Sequence, residues 1–185
     1  MLSSEANVCI KKFTKKLNHS RFYGFFYPTS WRVKSLANPH SIREVAQYQG
    51  VMYQNKTSVR VRYAETDQMG IVYYGVYPQY FEVGRVEALR ELGMTYREME
   101  ENGTMLPVKH LEINYHSSAR YDDLLTIHTF IKEIPGVRIT FVHEVYNEQK
   151  QLLTSGKVVL VFVSSKTMKP KKAPSDFLDK MKPFF

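Results

Sequence analysis

The sequence predicts an α+β domain in which a curved, five-stranded antiparallel sheet wraps around one long central helix. Three observations carry that expectation. One strand-like alternation comes first, one stretch of helical period follows it, and four long apolar stretches separated by short turn signals come after. The apolar stripe of a single helix has to be buried, and in such a chain only the sheet is there to cover it. A length of 185 residues gives one domain with a substantial core and leaves little room for two.

Lys56 to Tyr63 (KTSVRVRY) alternates, with Val59, Val61 and Tyr63 on one face and Arg60 and Arg62 on the other. That is the period of a half-buried strand. Residues 64–72 break the alternation, and Asp67 and Gly70 supply turn chemistry. The helix begins near Tyr77, with Pro78 in its first turn, where a missing N–H is no loss. Tyr77, Phe81, Gly84, Ala88 and Leu92 share one face, while Glu82, Arg85, Glu87, Arg90 and Glu91 occupy most of the rest. Gly inside a helix costs about 1 kcal/mol against Ala, so Gly84 signals a close approach to another backbone. Glu82 and Arg85, at i and i+3, read as a surface ion pair. Leu92-Gly93 ends the helix, and Thr95 with Glu98 three residues on caps a short one to Glu101.

The four later stretches are Leu106 to Tyr115, Leu124 to Glu133, Val137 to Tyr146 and Leu152 to Ser164. They are rich in β-branched and aromatic residues and are separated by Arg120-Tyr121-Asp122, Pro135-Gly136 and Asn147 to Lys150. Connections this short favour antiparallel neighbours, so the four strands read as a meander. Lys169 to Lys172 and a short amphipathic end with Phe177, Leu178 and Met181 close the chain.

The net charge of +8 suggests nucleic acid until it is divided by position. Residues 1–51 hold eight Lys and Arg against two acids, giving +6, and residues 52–185 hold eighteen against sixteen, giving +2. The globule is nearly balanced and shows no basic face interleaved with aromatic readers, so nucleic acid is not expected as a partner. No apolar run approaches the roughly 20 residues of a membrane span. Residues 1–51 carry no regular apolar period and no secretory cleavage pattern, and read as a flexible basic extension or the product of an upstream start. The domain is then residues 52–185. Cys9, the only cysteine, lies in the extension, so the globule has no disulfide framework and no cysteine nucleophile.

The chemistry concentrates between Val61 and Leu92. Asp67 stands one short loop before the start of a helix, and a helix start presents unpaired N–H groups and partial positive charge. A carboxylate and backbone donors facing one carbonyl suffice for hydrolysis of an activated acyl group. No G-x-S-x-G elbow supports a serine triad. Taken alone, Asp67 reads first as a residue that stabilises the turn or caps the helix, and only the motif around it favours chemistry. His110, His116, His128 and His143 lie in different strands without metal-ligand spacing, so no metal and no cofactor is expected.

The run Tyr63-Ala64-Glu65-Thr66-Asp67-Gln68-Met69-Gly70-Ile71-Val72-Tyr73, followed by Tyr77, Phe81-Glu82 and Arg85, resembles the signature of the 4-hydroxybenzoyl-CoA thioesterase family of hotdog-fold enzymes. It is most similar to the bacterial acyl-CoA thioesterase branch, over about residues 55–170. The resemblance implies hydrolysis of an acyl-CoA to a carboxylic acid and free coenzyme A. It implies Asp67 as the catalytic carboxylate, acting as base or nucleophile, with Tyr63 beside it. The Tyr74 backbone N–H would polarise the carbonyl, with Gly75 and Tyr73 at the substrate, while the side chains of Tyr73, Tyr74 and Tyr77 read first as core or interface aromatics. Position 74 is His in many members of the branch; Tyr here removes the imidazole and keeps the backbone donor. Lys169, Lys171 and Lys172 are candidates for the coenzyme A phosphates, against the plain reading of a solvated basic segment. A homodimer, or a tetramer built from two, is further implied, and the cysteine usage is compatible with a cytoplasmic setting. Two other readings stay open: an acyl carrier protein as the thiol carrier, and a non-catalytic acyl-binding or scaffold protein. A dehydratase on the same fold needs a catalytic His, and none lies in the Asp67 loop.

Overall fold

The computed structural model describes residues 52–185; the extension, including Cys9, lies outside the described residues. In chain order come β1 (Tyr53–Arg60), α1 (Tyr77–Glu91), α2 (Tyr96–Glu101), β2 (Thr104–Met105), β3 (Val108–Tyr115), β4 (Leu124–Ile131), β5 (Arg138–Tyr146), β6 (Leu152–Val161), β7 (Val163–Ser164) and α3 (Ser175–Met181). Five strands form one antiparallel sheet in the order β1-β4-β5-β6-β3, and β2 pairs with β7 in a separate ribbon. The helix α1 lies across β1, β4 and β5. This is the hotdog architecture.

The sheet and helix meet through fully buried side chains: Phe81 and Leu89 from α1, Leu125, Ile127 and Ile131 from β4, and Phe141 and Val145 from β5. Gly84 is the point of closest approach. A Cβ there would lie 2.6 Å from Thr129 Oγ1 and 2.8 Å from Ile127 Cγ2, so any side chain would hold the helix off the sheet. The short helix α2 carries the expected capping box: Thr95 Oγ1 accepts from the Glu98 amide and the Glu98 carboxylate accepts from the Thr95 amide.

Three local expectations are corrected. The first strand starts and ends three residues earlier than its visible alternation. Its inward positions run Tyr53, Asn55, Thr57 and Val59, so the polar members hide the period at the front. At the rear Tyr63 opens a 3-10 turn instead of continuing the strand.

The four later strands are not a simple meander. Only β4-β5-β6 follow one another; β3 pairs with β6 and β1 with β4. Residues 116–123 cross the end of the sheet between β3 and β4, and at ~3.3 Å per residue they reach about 26 Å. Three strand spacings of ~4.8 Å need about 14 Å, so a short connection does not compel neighbours. The crossing segment finds backbone partners on the way: the Val72 amide donates to Ala119 O and the Val61 amide to Asp123 O, at 2.9 and 3.0 Å.

Arg85, assigned to the polar face of α1, is buried. Because α2 folds back beside it, the guanidinium bonds the Tyr96 hydroxyl and the Glu82 carboxylate, both at 3.2 Å. The ion pair with Glu82 forms, but only its carboxylate side is exposed.

Candidate active site

The loop before α1 is built on a buried carboxylate. Glu65 sits in the 3-10 turn Tyr63–Glu65 and is only 5% exposed. It accepts from Arg62 Nε and Nη2 at 2.8 and 2.5 Å, from the Arg62 amide at 2.7 Å and from the Tyr80 hydroxyl at 2.9 Å. Burial alone would raise its pKa. The bonds from Arg62 and Tyr80 outweigh that and hold the carboxyl below its ordinary range. The Glu65 carbonyl in turn accepts the Tyr73 amide at 2.9 Å, closing the loop on itself.

Inside that closure the chain makes a narrow hairpin. Thr66 and Val72 form an antiparallel bridge, the Asp67 amide donates to Ile71 O and the Gly70 amide to Asp67 O, each at 2.9 Å. Gly70 has φ +71°, which a side chain rarely adopts. Asp67 Oδ1 accepts the Met69 amide at 2.8 Å, which fixes the carboxylate in place. Among the described residues its Oδ2 has no hydrogen-bond partner and is free for a water or a ligand.

From Val72 the chain enters the 3-10 turn Tyr74–Val76 and runs directly into α1, with Pro78 in the first helical turn. The first bond of the turn is Val76 N–H to Tyr73 O at 2.9 Å. The amides of Tyr74 and Gly75 precede it, so they have no acceptor within the turn, and no other described residue accepts from them. The Tyr73 ring lies over Gly75, where a Cβ would come within 2.7 Å of Tyr73 Cε1, and against the Tyr74 ring at 4.4 Å. The Tyr115 hydroxyl donates to Tyr74 O at 3.1 Å, and its ring meets the edge of Tyr77 at 5.6 Å.

A cavity of about 300 Å³ opens between these parts. Asp67, Met69 and Ile71 border it from the loop, Tyr74 and Tyr77 from the helix start, and Tyr115, His116, Ser117 and Ser118 from the segment leaving β3.

The sequence pattern of the thioesterase-like superfamily matches residues 61–181, nearly the whole of this architecture. The chain belongs to that superfamily. It is 35% identical over 119 residues to an acyl-CoA thioesterase, YbgC, of Haemophilus influenzae, covering 64% of this chain and 87% of the relative. With the acyl-CoA thioester hydrolase YbgC of Escherichia coli it shares 31% identity over 124 residues, 67% of this chain and 92% of the other. Among solved structures, the DHNA-CoA thioesterase of Staphylococcus aureus superposes with a TM-score of 0.67 at 32% identity, over 70% of this chain and 89% of that one.

Within this thioesterase-like chain the structure brings Asp67 and Tyr74 to one cavity, with Tyr73 and Gly75 beside it in the same turn. Tyr63 is placed elsewhere: it is 78% exposed and packs its ring edge against Tyr121 at 5.6 Å. Lys171 borders a second cavity of about 500 Å³ together with Met94, Met99 and Phe177, and its Nζ donates to Thr104 Oγ1 at 2.9 Å. Lys169 is exposed on the loop after β7, where its carbonyl accepts the Ser164 amide.

Sequence reasoning missed Tyr115, His116, Ser117 and Ser118. They reach the cavity only because β3 is an edge strand and its exit crosses the sheet beside the Asp67 loop. The one local signal was a polar cluster, His116-Ser117-Ser118, at the end of a strand. His116 Nε2 is hydrogen-bonded to Ser155 Oγ at 2.9 Å. Of the other described histidines, His110 is exposed on β3, His128 is half-buried on β4 and His143 is fully buried beneath α1, and none of them borders this cavity.

Proposed function

We propose that this protein hydrolyses acyl-CoA thioesters to carboxylic acid and free coenzyme A, within the 4-hydroxybenzoyl-CoA thioesterase branch of the superfamily. The observation that carries the reading is the meeting, at one cavity, of a carboxylate with a free oxygen and a helix start with partner-free amides. A thioester carbonyl seated there has its oxygen toward the Tyr74 and Gly75 N–H groups and its carbon toward Asp67. Negative charge that develops on the oxygen is met by donors already in place and by the partial positive charge of the helix start. Asp67 either attacks the carbon itself or takes a proton from the attacking water. Attack by Asp67 breaks the C–S bond and leaves an acyl–Asp67 anhydride that water hydrolyses to the acid; attack by water gives the acid directly, and in both routes the thiolate leaves and takes up a proton that originates from the water.

The remaining assignments extend the same reading. Tyr73 and Gly75 border the acyl group, and Tyr63, exposed and packed on Tyr121, drops out of the site. Lys169 and Lys171 are the candidates for the coenzyme A phosphates, Lys171 from the cavity beside Thr104. The free β3 edge, where Val108, Leu111 and Tyr115 are all at least 41% exposed, is the proposed dimer contact. A cytoplasmic setting fits the bacterial relatives.

The test is thiol release by the full chain from short-chain, long-chain and aromatic acyl-CoAs, beside its Asp67→Asn variant. The expected result is turnover that falls by about 10²- to 10⁴-fold in the folded variant. Equal rates in both would remove Asp67 from the chemistry. Release from acyl carrier protein but from no acyl-CoA would reassign the carrier.

A further inference from the structure

We propose that Tyr115 is a positioning residue that steadies the direction of the Gly75 oxyanion donor at the start of α1. The inference rests on the thioesterase reading above. Tyr115 ends the edge strand β3, and its ring is half exposed, so its packing contribution is small. What it adds is a hydroxyl, which donates across 41 positions of sequence to Tyr74 O at 3.1 Å. The i→i+3 pattern of the 3-10 turn gives that carbonyl the Tyr77 amide, and the donor an α-helix would add is the amide of residue 78. Residue 78 is a proline without an N–H, and the Tyr115 hydroxyl approaches the oxygen in its place.

The geometry of the peptide unit makes this bond matter. Tyr74 C=O and Gly75 N–H belong to one rigid plane and lie on opposite edges of it. Whatever holds the oxygen therefore aims the N–H. One unit earlier, the Val76 amide holds Tyr73 O at 2.9 Å and in the same manner aims the Tyr74 N–H. Both planes are held by bonds internal to the turn, and the plane that carries the Gly75 N–H has a second one delivered by β3. A hydrogen bond at an amide oxygen also polarises the amide and strengthens the bond its N–H can give. The Tyr73 ring occupies the space a Cβ at position 75 would need, 2.7 Å from Tyr73 Cε1, so the ring lies there only because the residue is glycine.

Tyr115→Phe in the full chain keeps the ring against Tyr77 and removes the hydroxyl alone. Misdirected donors typically cost on the order of 10²-fold, so kcat for acyl-CoA hydrolysis is expected to fall about 10- to 100-fold. KM should stay within about threefold, because the loss falls on the transition state. The amide ¹⁵N resonance of Gly75 should shift, since it reports hydrogen bonding at the preceding carbonyl, while the thermal midpoint holds. A Gly75 resonance that does not move overturns the inference whatever the rate does. So does an unchanged kcat, or a loss confined to KM and the thermal midpoint. Wild-type protein that releases no thiol from any acyl thioester overturns the thioesterase reading and this role with it, a failure visible before any variant is made.

Discussion

The hydroxyl of Tyr80 donates to the buried carboxylate of Glu65 at 2.9 Å, joining α1 to the loop that carries Asp67. The same carboxylate holds the Arg62 guanidinium and amide, and the Glu65 carbonyl holds the Tyr73 amide. One residue therefore ties the end of β1, the Asp67 hairpin and the turn bearing the amide donors. Bonding to the ionised carboxyl also keeps Tyr80 protonated, because burial and the neighbouring charge both push its pKa up.

Glu65→Gln is expected to lower stability by about 1.5–3 kcal/mol, the usual range for a hydrogen-bonded charge removed from a buried site. The effect has a pH signature. The folded pKa of Glu65 lies below its unfolded value, so its contribution is full above about pH 4.5 and is lost as pH falls through the folded value. Denaturant unfolding at pH 7 should separate wild type from variant, and the gap should shrink on acidification below pH 4.5. A gap that grows toward acid would show that Glu65 is already protonated in the fold.

Gly84→Ala sets two effects against each other. Ala is the better helix former by about 1 kcal/mol. The added Cβ would stand 2.6 Å from Thr129 Oγ1 and 2.8 Å from Ile127 Cγ2, and overpacking of that kind costs about 1–3 kcal/mol. Neither contact is the loose end of a long side chain, so the clash should win. A lowered thermal midpoint is expected; a raised one would mean that α1 can lift from the sheet at little cost.

What the sequence disclosed and what it withheld divide along the range of the forces involved. The helix α1, the Thr95 capping box and the bodies of β4, β5 and β6 were legible because period, capping residues and turn residues act over a few positions. The Asp67–Gly70 turn and its place before the helix were legible for the same reason. The pairing of β3 with β6 was not, because strand order is decided by which surfaces cover α1, and residues 116–123 are long enough to permit either neighbour. Glu65 and Arg85 are polar residues whose burial follows from partners, Tyr80 and Tyr96, brought by other elements. Tyr115 carries no motif at all; only the fold puts its hydroxyl on Tyr74.

The β3 edge yields a prediction about assembly. Every position of the strand except Ile113 is exposed, including Val108, Leu111 and Tyr115. Lys109 and Glu112 put charge on the strand, while Val108, Leu111 and Tyr115 leave it an apolar surface for a second strand to cover. Light scattering on the full chain is expected to give a dimer or a multiple of it. Leu111→Lys should shift the distribution toward the single chain at low concentration. A wild-type monomer at all concentrations would remove the interface from this edge.

The last prediction concerns a buried base that the proposed chemistry does not use. His143 points from β5 into the core and stacks on Phe81 at 4.8 Å with the rings 10° apart. Its Nδ1 is hydrogen-bonded to Thr129 Oγ1 at 3.1 Å, and its Nε2 has no partner among the described residues. Burial pushes its pKa down to about 3, and the Arg85 charge pushes in the same direction. The imidazole is therefore neutral in the fold and gains a proton on unfolding at any pH between 3 and about 6.5. Stability is fully present above pH 6.5 and drains away as pH falls toward 3, at up to ~1.4 kcal/mol per pH unit for one proton. His143→Gln keeps a polar group for Thr129 and removes the titration. Between pH 6.5 and 5, above the range of most carboxylates, the wild-type midpoint should fall with pH more steeply than that of the variant. Parallel slopes would mean that His143 takes up its proton inside the folded core, which would require Nε2 to have found water that the packing of Phe81 and Phe141 otherwise excludes.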